Sequence, residues 1–327
     1  MRVVNLLDTQ SMSKEDVVGH FAEAAAEGFS KQPKRLSSEY FYDDVGSVLF
    51  QKITQQSEYY LTKTELGILT KCASDISNYF IHKEIDVVEL GVGDGHKTKV
   101  LIQSFIDKGF KVNFYPIDIS KKAINLLQTS VQENDSLAIT AVVAKYFEGI
   151  NYIHEHSVNQ KIVLFLGSNI GNTDKCKGES FLQELHQSLS KDDLLLTGLD
   201  LIKDIEVLNN AYNDKNGYTR QFNLNLLTRM NNELGANFDV YQFEHLGRFN
   251  PELNAMESFL ISKIDQVVYF EQFNMEVGFR EFEPIHLEYS FKYSANEIET
   301  LAEKTGFKFI KSYTDDKNYF IDSLWQK

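Results

Sequence analysis

The sequence predicts an α/β fold: one doubly wound domain with a mostly parallel sheet, interrupted by a second, α+β domain. Three observations carry this. Helix-period segments alternate with short apolar runs from residue 62 to 202, the rhythm breaks after Asp200, and it returns near Ser294. Leu69, Cys72, Ala73 and Ile76 share a helical face ahead of a buried strand, Asp86 to Leu90. Gly91, Gly93 and Gly95 follow, then a helix bearing Val100, Leu101 and Phe105. Lys111 to Ile117 reads as the next strand, and Ser120 caps a helix with Ala123, Ile124, Leu127 and Val131. Further strands are Ala138 to Val143, Lys161 to Leu166 and Leu194 to Leu199, the last two flanking a helix with Phe181, Leu182, Leu185 and Leu189. Apolar strands joined by helices belong in a parallel sheet covered on both faces. Beyond Asp200, residues 203–235 read as two helices, one with Val207, Leu208, Ala211 and Tyr212, the other with Phe222, Leu226, Leu227 and Met230. Residues 256–283 read as antiparallel strands. Ser294 and Glu297 form a capping-box signature ahead of Ile298, Leu301 and Ala302, and Gly306 stops that helix. Lys308 to Tyr313 and Tyr319 to Trp325 close the chain as a hairpin.

Length and composition bound the function. The 327 residues suit about two domains, and 43% apolar content supplies a sizeable core. The 33 basic and 47 acidic residues leave a net charge of −14, with the signs interspersed. This argues against nucleic-acid and anionic-membrane partners and leaves a small molecule as the expected partner. Cys72 and Cys176 have no CxxC or Cys/His neighbour, which disfavours disulfide scaffolds and metal sites and fits a reducing cytoplasm. The start lacks an apolar signal core, and no stretch reaches the ~18 apolar residues needed to span a bilayer. Nothing in the sequence sets an oligomeric state, and a monomer is compatible with it.

The segment Val87-Val88-Glu89-Leu90-Gly91-Val92-Gly93-Asp94-Gly95 puts glycines where a strand must turn and let backbone approach a nucleoside cofactor. A dinucleotide fingerprint needs GxGxxG, but here the third glycine comes one residue early and position 96 is histidine. Asp118 ends the next strand, where a carboxylate can accept both ribose hydroxyls. Together these features suit S-adenosylmethionine better than NAD, because its sulfonium and amino acid tail need a polar loop and not a pyrophosphate cradle. The plain alternative is a tight turn with a helix-capping aspartate.

Longer strings resemble one family, the S-adenosylmethionine-dependent histidine Nα-methyltransferases of ergothioneine biosynthesis. They are Tyr40-Phe41-Tyr42-Asp43-Asp44-Val45-Gly46-Ser47, Glu58-Tyr59-Tyr60-Leu61-Thr62-Lys63-Thr64-Glu65, the glycine loop with Lys97, and Leu166-Gly167-Ser168-Asn169-Ile170-Gly171-Asn172. They continue through Asp200-Leu201-Ile202-Lys203-Asp204, Ala211-Tyr212-Asn213-Asp214, Asn223 to Leu227, Asn232 to Ala236, and Ile285-His286-Leu287-Glu288-Tyr289-Ser290 with Lys292-Tyr293. The resemblance implies a Rossmann-like class I methyltransferase domain with a seven-stranded, mostly parallel sheet over 62–202 and 292–327. An inserted α+β substrate-binding domain would take 1–61 and 203–291. It implies methyl transfer to the α-amine of L-histidine, giving the trimethylated betaine hercynine. Gly91, Gly93, Lys97, Asp118 and Tyr146 would contact the cofactor. Asn172 and Tyr212 would hold the amine and carboxylate, Tyr42 and Tyr60 the reacting end, with Tyr59 an alternative to Tyr60, and Glu288 and Ser290 the imidazole. Tyr42 and Asn172 would be the catalytic pair.

The chain departs from the family pattern at several positions. Leu61 stands in place of a proline, Lys145 where an aspartate commonly contacts adenine, and Ser258 where a methionine is expected. Leu287 and Tyr289 replace the usual neighbours of Glu288. These changes keep open a different amino acid or small amine as substrate. Taken one by one, the residues also have ordinary readings: the tyrosines as packing, Glu288 and Ser290 as a solvated strand face, and Lys203 with Asp204 as a surface pair.

Overall fold

The computed structural model describes residues 1–7, 14–93 and 95–327; Asp94 of the glycine loop lies outside them. The chain divides into two compact units. The first comprises the N-terminal strand, Leu61–Ile202 and Tyr293–Lys327; the second comprises the N-terminal helices up to Tyr60 together with Lys203–Lys292.

The first unit is built on an eight-stranded sheet in the order Arg2–Asn5, Leu137–Val143, Lys111–Asp118, Glu84–Leu90, Gln160–Phe165, Leu194–Asp200, Phe320–Gln326 and Lys308–Thr314. The first six strands run parallel, and the C-terminal hairpin joins antiparallel to Leu194–Asp200. Every residue of Gln160–Phe165 and Leu194–Asp200 is buried, as expected for central strands with both faces covered. Seven strands match the expected set. The eighth, Arg2–Asn5, was expected with the substrate domain but pairs with Leu137–Val143 at the sheet edge. Only four residues long, it carries too little periodic pattern to be read from sequence. The strand order reverses around Glu84–Leu90, whose neighbours on its two sides come from different parts of the chain. In such sheets ligands bind beyond the carboxyl ends of strands at this reversal.

The second unit holds a four-stranded sheet, with Phe243–Asn250, Ala255–Ser262 and Pro284–Phe291 antiparallel and Lys34–Arg35 parallel at the edge. A separate hairpin joins Gln266–Phe270 to Met275–Phe279. Its core gathers Phe21, Phe29, Phe41, Phe222, Leu227, Met230, Phe238, Phe243 and Phe270 from helices, strands and a connecting segment. Lys292, expected to open the returning segment of the first domain, belongs to this second unit. Its backbone N–H donates to Asn254, so it continues the strand ending at Phe291. Among the described residues no helix is long and apolar enough to cross a membrane.

Candidate active site

In the first unit the glycine loop leaves Glu84–Leu90 with Gly91, Gly93 and Gly95 all in the left-handed region, at φ +75°, +54° and +67°. A Cβ on Gly91 would also lie 3.0 Å from the Tyr146 hydroxyl. The turn therefore needs glycine for its backbone, and Gly91 needs it for space as well. Asp118 ends the adjacent strand and accepts from the backbone N–H of Ser120 at 2.8 Å. Burial raises its pKa and backbone hydrogen bonds partly restore it. Burial, with the nearby Asp118 charge second, pushes the Tyr146 phenol up to about 12, so it is a neutral donor. A backbone cradle, a carboxylate and a phenol side by side fit a nucleoside ligand. Lys145 is exposed beside them at the start of the helix Tyr146–His156.

Lys97 is tied to a residue that the sequence reading quoted but did not assign. Its ammonium pairs with Glu65 Oε2 at 2.5 Å, and Glu65 Oε1 accepts from the backbone N–H of Gly167 at 2.6 Å. Burial works against the lysine charge, but Glu65, then Glu89 and Asp322, raise its pKa. Asp322 is fully buried, and neither carboxyl oxygen has a hydrogen-bond partner among the described residues. Burial first and Glu65 second hold it well above the ordinary aspartate range. Asn172, expected with the substrate residues, lies in the first unit, exposed at the end of the 3-10 turn Asn169–Asn172.

The second unit holds the other expected substrate residues. Glu288 and Ser290 lie on one face of Pro284–Phe291, opposite Ser258 and Met256 in the paired strand. Lys292 extends this row with no exposed surface. It donates to the Tyr212 hydroxyl at 3.0 Å and to Ser290 Oγ at 2.9 Å, and it lies 5.0 Å from the Tyr212 ring centroid. Burial lifts the Glu288 carboxyl to about 7, with Lys292 pulling the other way. Burial, then Glu288 and Tyr212, keep the Tyr42 hydroxyl protonated, although half of its side chain stays open to solvent. Ser290 is buried and Glu288 partly so, which a fully solvated strand face would not give. Ser258, directly across from the partly buried Glu288, is itself buried.

Local sequence sets these side chains. Asp43 caps the helix Asp44–Thr54 through the N–H of Gly46 at 2.6 Å and accepts from Asn225 at 2.8 Å, which fixes Tyr42 just before it. Tyr212 ends the helix Ile205–Ala211, and its backbone oxygen accepts from His245 Nε2 at 2.9 Å. A carbonyl only accepts, so Nε2 carries the hydrogen and Nδ1 accepts from Asn223 at 2.8 Å. Burial lowers the His245 pKa, keeping that neutral tautomer. Of the two adjacent tyrosines, Tyr59 packs edge-on against Phe50, whereas Tyr60 accepts from Lys203 at 2.7 Å with the ammonium 4.3 Å from its ring centroid. Lys203 is thus a partner of Tyr60, and Asp204 instead caps the helix Ile205–Ala211; the surface-pair reading is corrected.

A doubly wound sheet with a glycine loop at its reversal and a carboxylate ending the next strand is the arrangement of a class I methyltransferase. Residues 21–327 match a family described as histidine-specific methyltransferase, SAM-dependent, and the chain belongs to that family. It is 33% identical over 301 residues to histidine N-alpha-methyltransferase of Mycobacterium tuberculosis, covering 92% of each chain. It is also 33% identical over 298 residues to the enzyme of the same name from Mycolicibacterium smegmatis, covering 91% of this chain and 92% of that one. Ergothioneine biosynthesis protein 1 of Schizosaccharomyces pombe is 30% identical over 291 residues, which span 85% of this chain and 37% of the fungal protein. The protein is an S-adenosylmethionine-dependent N-methyltransferase.

Proposed function

We propose that the chain methylates the α-amine of L-histidine and carries the reaction to the trimethylated betaine, hercynine. The observation that carries this is the row Glu288, Ser290 and Lys292 on one strand face with Tyr212 bonded to its end, which gathers a carboxylate, two hydroxyls and an ammonium. When bound, S-adenosylmethionine supplies an electrophilic methyl carbon on a sulfonium.

Gly91 and Gly93 let backbone approach that cofactor, Asp118 accepts from its ribose hydroxyls, and Lys97 and Tyr146 offer donors beside the loop. On the substrate, Tyr212 donates to the carboxylate and Asn172 orients the amine without adding charge. Tyr60, polarised by Lys203, and Tyr42 flank the reacting end, and their faces accommodate a growing methylammonium through cation-π attraction. The α-amine must lose a proton before it attacks. Tyr42 keeps its own proton, so it acts as a relay to water and not as a base. Glu288 accepts from an imidazole N–H, and a side chain without that donor would leave a partly buried carboxylate unpaired.

Incubation with S-adenosylmethionine and a panel of amino acids, followed by mass analysis, tests the proposal. Mono-, di- and then trimethylated histidine is the expected series. Methylation of another amino acid with histidine untouched would sink it, and a reaction halting at the monomethyl stage would sink the betaine product. The second outcome class draws on Ser258, which makes the wall opposite Glu288 smaller and more polar than a methionine would.

A further inference from the structure

We propose that Lys292 is a positioning residue: by donating to both Tyr212 and Ser290 it turns these hydroxyls into outward donors and so selects a neutral imidazole. This deepens the functional reading above and rests on it for the roles of Tyr212, Glu288 and Ser290. A lysine ammonium has three hydrogens to donate and no lone pair to accept with. At 3.0 Å from the Tyr212 hydroxyl and 2.9 Å from Ser290 Oγ, it therefore makes both oxygens acceptors toward itself. Each hydroxyl hydrogen must then point elsewhere. Donation from a cation also drains electron density from the oxygen, which strengthens the O–H as a donor and weakens the oxygen as an acceptor. A second cationic N–H brought to Ser290 would meet like charge one hydrogen bond away. Lys292 has no exposed surface, so solvent does little to screen that repulsion.

The consequence is a sign preference for the ring. Ser290 offers a hydrogen and needs a bare ring nitrogen; Glu288, on the same strand face, needs an N–H. A neutral imidazole has one of each, whereas imidazolium has two N–H groups. Among the described residues, charged and titratable groups that meet on this face include Glu288 and Lys292 from the strand, Tyr212 from the helix end and Tyr42 from the N-terminal segment. Arg248 and Glu257 pair with each other on the alternate face, the one that carries His286. Lys292 escaped the sequence reading of the site, yet it continues the period-two row begun by Glu288 and Ser290.

The first test uses the wild-type enzyme with S-adenosylhomocysteine. Affinities are measured by titration calorimetry at about pH 8 and about pH 5.5 for L-histidine and for its analogue with 1,2,4-triazole in place of imidazole, a ring that stays uncharged at both. Histidine should lose ~10-fold more affinity than the triazole analogue, because only about a tenth of its rings remain neutral one unit below the imidazole pKa. Glu288 titrates inside this window, so the comparison is repeated with Glu288→Gln, which removes that carboxyl's own contribution. Equal losses would overturn the proposal, and the wild-type comparison needs no variant to fold.

The second test is a mutant cycle. Lys292→Met should weaken histidine ~10-fold, leave S-adenosylhomocysteine affinity within about twofold, and narrow the pH gap between the two ligands. In a Tyr212→Phe/Ser290→Ala background the same substitution should add less than about twofold. An undiminished loss in that background would mean a structural role and end the proposal alone. If Tyr212→Phe and Ser290→Ala leave histidine affinity unchanged, the site reading itself fails and takes the proposal with it.

Discussion

Burial raises the Glu288 carboxyl to about 7 and Lys292 offsets only part of that rise. Between the ordinary value of 4.5 and about 7 the native state keeps a proton that the unfolded chain has released. Stability from this group is therefore full below pH 4.5 and is lost as pH climbs through about 7. Glu288→Gln removes the titration. Urea unfolding at about pH 5 and about pH 8 should show the variant gaining roughly 2 kcal/mol on the wild type over that interval; a gap that does not change with pH would exclude it. The same substitution should weaken histidine ~30-fold, as expected for a lost hydrogen bond to a charge, while cofactor affinity moves less than about twofold. Lys203 and Lys292 were the least legible residues of the site. Lysines are ordinarily exposed, so these two carried no signal as single letters, and only their contacts with Tyr60 and Tyr212 reveal them.

Elements were legible wherever hydrophobic period and capping agreed. The capping box at Ser294 and Glu297 starts the helix Ala295–Lys304, and the Ser120 cap starts Lys121–Ser130. The helix Leu61–Ile76 also held an unread signal. Glu65 lies on the buried stripe with Leu61, Ile68, Leu69 and Cys72, and a charge on an apolar face requires a buried partner. That partner is Lys97, and Gly198 in the strand Leu194–Asp200 makes room for the pair. A Cβ there would lie 2.3 Å from Glu65 Oε1 and 3.1 Å from the Phe320 ring. Gly198→Ala should therefore push Glu65 away, leaving the N–H of Gly167 and the ammonium of Lys97 without their acceptor. Breaking one side of a buried pair costs about 3 kcal/mol. The urea midpoint should fall accordingly, and S-adenosylhomocysteine affinity should drop ~10-fold because Lys97 loses its anchor. An unchanged midpoint would refute this account of the glycine.

At the scale of the whole chain, the alternation of helices and apolar strands made the doubly wound unit readable, and its break after Asp200 marked the insertion. The edge strand Arg2–Asn5 was not readable, because its place is set by pairing with Leu137–Val143, a contact across more than a hundred residues. Asn172 was legible on both counts: its string resembles the family, and the expected bounds 62–202 already put it in the unit that carries the glycine loop. The proposed division of ligands between the units makes a prediction about linkage. A ligand that binds only the native state stabilises it by RT ln(1 + [L]/Kd), about 2.7 kcal/mol at a hundredfold excess over Kd. Wild type and Glu288→Ala should both gain that amount from S-adenosylhomocysteine, since the lesion is in the second unit. Asp118→Ala removes a carboxylate acceptor beside the loop, a loss of about 2.7 kcal/mol or ~100-fold in Kd. At the same ligand concentration its stabilisation should shrink to about 0.4 kcal/mol. Histidine should reverse the order, with calorimetric affinity lost first in Glu288→Ala. Thermal or urea unfolding with and without each ligand measures both arms, and equal losses of both ligands in both variants would show that the two units do not divide the binding in this way.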